Sequence, residues 1–247
     1  MIEIGIIGEH DPGNETHVAT NHALRHSATA LGVEVAARWV STADVIESTS
    51  NIERFDGLLI APGSPYRSLD GALRAIEHAR IGDLPLLGTC GGLQHVIIEL
   101  ARNVLGVADA QHAEYDPHAS TLFVTPLSCS LAGQTMAVDI LPGTRAAAAY
   151  GSATATERYC CNFGLNPAHI DDLVSSGLCV SGTDDAGEVR IVELPGLRFF
   201  PATLFVPQAG STPARPHPLV TAFVAAAARY PATSWSPSSG ASDDPSA

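Results

Sequence analysis

A short apolar run ends at a cysteine set among glycines in the stretch L-L-G-T-C-G-G-L-Q, residues 86–94. Few backbones accept such a string. Gly88 and Gly92 flank Cys90 as G-x-C-x-G, and a helical pattern then runs from Gly92 to Leu105 and stops at Gly106. A strand that turns at a nucleophile straight into a helix is a nucleophile elbow, here with cysteine in place of serine. The turn is so sharp that the nucleophile takes strained dihedrals and side chains two residues away would clash. The start of the helix favours a thiolate and offers backbone N–H groups to an oxyanion. The competing reading is an inert buried cysteine beside a glycine turn. Strand, glycine spacing and helix together favour the elbow.

The rest of the first 106 residues alternates in the same way. Strands are expected at 2–7, 33–40, 57–60 and 85–88, with helices at 17–31 and 69–80, an alternation that predicts a parallel sheet covered on both faces. From about Ser120 the pattern changes. Strands are expected at 121–125, 135–140 and 146–150, read as a small antiparallel insert, then at 179–182, 189–194 and 199–205, before a closing helix at 218–228. One domain over residues 1–230 follows. The tail from Pro231 to Ala247 is poor in apolar residues and is expected to be disordered.

Charge narrows the function classes. The 247 residues carry 26 acidic and 13 basic side chains, a formal net charge of −13, which argues against nucleic acid and against an anionic membrane surface. Every basic residue is arginine, so Schiff-base chemistry, a covalent pyridoxal-phosphate site and a phosphate-loop lysine are excluded. The five cysteines form neither a disulfide framework nor a C-x-x-C zinc pair. No apolar run approaches the roughly 20 residues that span a bilayer. The start M-I-E-I-G-I-I-G reads as a strand rather than a signal peptide. The expectation is a reduced, cytoplasmic protein acting on a small molecule, with no cofactor and no metal.

The loop A-P-G-S-P-Y-R follows a strand of the same sheet, so it meets the cysteine corner at the carboxyl edge. Backbone groups of Gly63 or Ser64 are candidate oxyanion donors beside that of Gly91, although an ordinary tight turn is the favoured reading of the loop taken alone. Arg67 at its end is a candidate anchor for an anionic substrate, or simply a surface arginine.

These residues resemble a known family. The run from Pro85 to Pro117, then G-L-R-F-F-P-A-T-L-F-V-P-Q and R-P-H-P-L-V-T-A-F, resemble the glutaminase domain of CTP synthases, which are class I glutamine amidotransferases. They also look like short stand-alone relatives that lack the synthetase domain. The resemblance implies a flavodoxin-like α/β fold, a mostly parallel central sheet flanked by helices with a small antiparallel insert. It implies that Cys90 forms the glutamyl thioester, Gly63 belongs to the oxyanion loop, and Gln94 and Glu114 line the glutamine pocket, with Glu114 facing the substrate ammonium. The departures are as informative. Where relatives carry F-H-P-E, this chain reads Phe205-Val206-Pro207-Gln208, so the family's base and its carboxylate orienter are absent. Where relatives carry H-R-Y-E-V-N, it reads Cys161-Asn162-Phe163-Gly164-Leu165-Asn166, and the Arg that contacts the substrate carboxylate is absent.

A replacement base is sought among ten histidines. His10 and His17, in the loop after the first strand, are the candidates. His95 fits a packing or capping role better, and His112 lies in reach of a pocket above the sheet. The acidic residues around His10 have no diagnostic metal spacing. Cys160 and Cys161 are adjacent, so one is expected to enter the pocket while the other packs; Cys161 and Asn162 are assigned to substrate binding, with a Cys160 or Cys161 partnership with Cys90 left open. Three functions remain: a cysteine-dependent enzyme acting through a covalent Cys90 adduct on an amino-acid-like substrate, hydrolase-, amidase- or transferase-like and not a standard glutaminase; a catalytically dead relative that binds a ligand or partner; and a residual glutaminase supplying ammonia to a separate synthetase. A homodimer is an open possibility.

Overall fold

A computed structural model describes residues 1–230, so the expectation of disorder for 231–247 falls outside the described residues. Its first half is the expected alternation: β1 (Ile2–Ile7), α1 (Glu15–Leu31), β2 (Val35–Val40), two short helices α2 (Thr42–Glu47) and α3 (Ser50–Glu53), β3 (Gly57–Ile60), α4 (Leu69–Ile81), β4 (Leu86–Thr89) and α5 (Gly91–Asn103). The second half holds β5 (Gln111–His112), β6 (Leu122–Pro126), β7 (Thr135–Ile140), α6 (Arg145–Tyr150), β8 (Thr154–Arg158), β9 (Phe163–Leu165), α7 (Ile170–Ser175), β10 (Cys179–Thr183), β11 (Val189–Glu193), β12 (Pro201–Thr203) and α8 (Pro218–Ala227).

The main sheet has the order β2-β1-β3-β4-β12-β11-β10-β7-β8. Its first five strands pair in parallel. The remaining pairings are antiparallel. The sheet is therefore mixed: β7, expected in the antiparallel insert, and β8, a strand not expected from the sequence, extend its edge, while β6, also expected in the insert, forms a second, three-stranded sheet with β5 and β9.

Burial follows the period-two geometry of strands. In β3, Leu58 and Ile60 pack with Ile76 and Ile97 of α4 and α5, while Leu59 joins Leu24 and Phe223 of α1 and α8 on the other face. Both faces are covered, which is why β3 is apolar apart from Gly57 and every position of β3 and β4 is buried. Stacked parallel strands then aim their carboxyl ends, and the loops after β1, β3, β4 and β12, at one edge.

Residues 146–150 are not a strand. They lie in α6, which begins at an N-cap Thr144 accepting from Ala147 N and ends at Gly151 in the left-handed region. The buried Glu193 carboxylate accepts the backbone N–H groups of Arg145 (3.0 Å) and Ala146 (3.3 Å). The alanine run A-A-A-A has high helix propensity, and these caps supply what a six-residue helix lacks by itself.

Candidate active site

Cys90 sits at the junction of β4 and α5 with φ 53° and ψ −110°. A non-glycine residue there is strained, and such strain persists only where the surroundings hold it. Two contacts hold it. The Cys90 N–H donates to Thr203 O of β12 at 2.8 Å, and the Cys90 carbonyl accepts from Leu93 N at 3.1 Å. The glycines are required by close approach: a Cβ on Gly91 would collide with the Gly63 carbonyl, and one on Gly92 would lie 2.5 Å from Ile60 O. The 62–65 loop is thus seated directly against the first turn of α5, with Gly63 at φ 110° and a cis Ser64–Pro65 bond.

Beside the corner lies a cavity of about 270 Å³ walled by Gly63, Ser64, Cys90, Gln94, Glu114, Cys160, Cys161 and Asn162, together with Asn14, Thr16, Pro62 and Phe163. Most of the residues singled out in the sequence therefore converge. Gln94 is locked on the α5 face: its Nε2 donates to Phe163 O at 2.9 Å, and its Oε1 accepts from His112 Nε2 at 3.0 Å. Glu114 turns a buried Oε2 toward no hydrogen-bond partner. Asn162 Oδ1 accepts from Ser130 Oγ at 2.6 Å, which leaves its amide nitrogen available.

The histidines do not supply a base. His17, a candidate for that role, accepts from Asp11 N at Nδ1 (3.1 Å), so its Nε2 carries the proton and donates to Pro62 O at 3.1 Å. It supports the 62–65 loop from below and does not line the cavity. His10 is exposed and packs on Trp39, ring centroids 4.8 Å apart. It is likewise outside the cavity, held against Trp39 of β2. His95 donates from Nδ1 to Gly91 O (2.7 Å) and accepts the Tyr115 hydroxyl at Nε2 (2.9 Å). Burial pulls it down to about 4. His112 accepts from Glu114 N at Nδ1 (3.0 Å), and burial, then the neighbouring His95, pulls it down to about 3. Both rings are neutral positioning groups. Arg67 is exposed and not among the residues around the cavity, so the candidate anchor points elsewhere.

The positions of Val206 and Gln208, where the resemblance expects a histidine and a glutamate, are closed. Val206 is fully buried, and Gln208 donates from Nε2 to Thr89 Oγ1 at 2.9 Å. Against Cys90 stands Cys161 instead: the structure joins their sulfurs, with Cα atoms 6.2 Å apart. Cys161 Sγ also lies 3.0 Å from Leu204 O, two residues before Val206. Cys161, assigned to substrate binding from the sequence, is thus the direct partner of Cys90, while Cys160 is exposed at the cavity wall. The sequence reading missed Asn14 and Thr16, which bring the capped start of α1 to the cavity; the N-E-T capping pattern is the signal that marks them. Among the described residues no group of three or more His, Cys, Asp or Glu side chains could hold a metal ion, and no helix is long and apolar enough to cross a membrane.

Comparison with known proteins agrees with this geometry. The family model described as glutamine amidotransferase class-I matches residues 15–226. The chain is 34% identical over 241 residues to a CTP synthase of Pyrococcus furiosus, an alignment covering 93% of this chain and 45% of that protein. It is 36% identical over 241 residues to a CTP synthase of Archaeoglobus fulgidus, covering 92% and 44%. The chain thus spans less than half the length of these relatives. Among solved structures, the glutaminase domain of Trypanosoma brucei CTPS with bound acivicin superposes with a TM-score of 0.87 at 28% identity, covering 94% of this chain and 97% of that one. A glutamine amidotransferase from Thermotoga maritima, at 10% identity and TM-score 0.59 over 92% of this chain and 96% of that one, shares the fold.

Proposed function

The chain belongs to the class I glutamine amidotransferases, and on that premise we propose that it is a cysteine-dependent enzyme acting on the amide, ester or nitrile carbon of an amino-acid-like substrate, without the family's histidine and glutamate. The observation that carries this reading is that Cys90 and Glu114, whose buried Oε2 lacks a partner, wall one cavity. A substrate ammonium seated on Glu114 completes the unsatisfied carboxylate and presents the electrophilic carbon to the reduced Cys90 sulfur. Attack forms the S–C bond, and the oxyanion is taken by backbone N–H groups of Gly91 and the Gly63–Ser64 loop. The leaving amine takes its proton from water in the open cavity, and water then hydrolyses the thioester. Cysteine tolerates the loss of a dedicated base better than serine, because some thiolate exists near neutral pH. A reducing, cytoplasmic setting belongs to the same proposal, since the oxidised nucleophile cannot attack.

The test compares reduced wild type, Cys90→Ser and Glu114→Gln, following adduct mass with a glutamine-like diazoketone and with iodoacetamide, and ammonia release from glutamine. We expect both reagents to label Cys90, with little glutamine turnover. Glu114→Gln should slow diazoketone labelling about 10- to 100-fold while leaving iodoacetamide labelling nearly unchanged, the loss expected for one charge-assisted hydrogen bond. A reduced Cys90 inert to both reagents would overturn the proposal and favour a ligand-binding relative, the reading that the buried Val206 and Gln208 support. Cys90-dependent ammonia release would instead favour a glutaminase serving a separate synthetase, consistent with a chain that matches only part of each CTP synthase.

A further inference from the structure

We propose that Cys90 and Cys161 form a reversible redox couple through which this site reduces hydroperoxides. The couple is a built feature. The two cysteines come from distant parts of the chain, 71 residues apart, yet their Cα atoms lie 6.2 Å apart, inside the span of about 4.4–6.8 Å that a disulfide bridges. Each sulfur is held by a different element: Cys90 by the elbow before α5, Cys161 by the segment after β8, where its Sγ contacts Leu204 O. Both are buried, at 7% and 2% exposure, but both border the cavity, so a small reagent has a route to the pair.

The surroundings suit sulfur oxidation better than they suit proton shuttling. Among the described residues no histidine borders the cavity, whereas the start of a 13-residue helix favours a thiolate at Cys90. A thiolate attacks an O–O bond without a base to deprotonate it, and the Asn162 amide nitrogen at the cavity wall is available to hydrogen-bond a peroxide oxygen.

The chemistry balances with hydrogen peroxide or a small organic hydroperoxide, ROOH, as oxidant. Cys90 sulfur bonds to the terminal oxygen, the O–O bond breaks, and the leaving alkoxide takes a proton from water, giving a sulfenic acid and ROH. The Cys161 thiol then attacks the Cys90 sulfur, the S–S bond forms, and the displaced hydroxyl leaves as water with the thiol proton. Two equivalents of a small external thiol reduce the disulfide by exchange and are themselves oxidised to their disulfide. Cys161 thus resolves the sulfenic acid before a second peroxide overoxidises it. The couple does not depend on amide chemistry at the same sulfur, although each oxidised turnover closes Cys90 to a carbon electrophile.

The test uses the full chain, fully reduced, as wild type, Cys90→Ser, Cys161→Ser and the variant Cys129→Ser at an exposed free cysteine, each checked for folding by its thermal melt. Hydrogen peroxide or tert-butyl hydroperoxide is added, and the products are mapped without reduction and trapped with dimedone. Wild type and Cys129→Ser should yield a Cys90–Cys161 cross-linked peptide pair that a dithiol reverses. Cys161→Ser should accumulate a dimedone-trappable sulfenic acid at Cys90, and Cys90→Ser should consume peroxide at least about tenfold more slowly, as its remaining thiols lack the thiolate-favouring site. Peroxide consumption unchanged in Cys90→Ser, a cross-link from Cys90 to Cys160, or irreversible Cys90 sulfinate in wild type would each overturn the couple. Diazoketone labelling of the reduced chain is read separately: its loss with the cross-link intact removes only the amide reading, and the converse removes only this one.

Discussion

At the level of single residues, the site is decided by which polar atoms are already occupied. His95 and His112 each use both ring nitrogens, and burial holds them down to about 4 and about 3 from 6.5. They are neutral in the fold yet take up protons when the chain unfolds in mild acid. The sign follows directly. Between pH 6.5 and about 4 the unfolded chain binds more protons, so stability is complete above 6.5 and is lost as pH falls toward the folded values, by about 1.4 kcal/mol per pH unit for each fully coupled proton. Thermal melts should show Tm dropping over that window. His112→Asn, which keeps an amide donor toward Gln94, should flatten the slope by up to one proton; an unchanged slope would mean that another group sets it.

The elements show where local patterning ends. The β4–Cys90–α5 corner is legible because its constraints are local: a buried strand, a helix start and glycines at places where another backbone must pass. The α6 segment is not, because an apolar run of five residues suits a strand and a short helix equally well, and a carboxylate 48 residues away decides between them. Removing that carboxylate should be costly. Glu193→Ala leaves two backbone donors at the start of α6 unpaired and should lower stability by about 1–3 kcal/mol. Loss of the Thr144 cap in Thr144→Ala should cost about 1 kcal/mol. Urea unfolding of both variants checks the order, and Thr144→Ala as the more damaging change would show that Glu193 does not set the helix.

Over the whole molecule, the sheet is a parallel half, which presents the loops of the site, joined to an antiparallel half, which carries β7, β8, β10 and β11 out to the edge. The redox couple ties the two regions together, since Cys90 follows β4 and Cys161 follows β8. Closing a loop of 71 residues restricts the unfolded chain, so the oxidised protein should be more stable than the reduced one by about 2–4 kcal/mol. Denaturant melts with and without a dithiol measure the difference; equal midpoints would mean that the pair does not remain cross-linked in solution.

The α/β class, the elbow at Cys90 and the family were all legible in the order of the residues, because periodicity, glycine spacing and a long matching run are properties of neighbours along the chain. Most of the cavity was legible too, since the loops at the carboxyl ends of adjacent parallel strands must meet. The rest emerged with the packed fold: His10, His17 and Arg67 lie away from the cavity, Glu114 keeps a buried oxygen free, and Cys161 stands against Cys90. Proton acceptors and thiol partners are chosen by orientation and by distances across the sheet, and spacing along the chain carries no record of either. For the L-L-G-T-C-G-G-L-Q corner the consequence is specific: its neighbours set the strained turn at Cys90, and a residue 71 positions away stands against its sulfur.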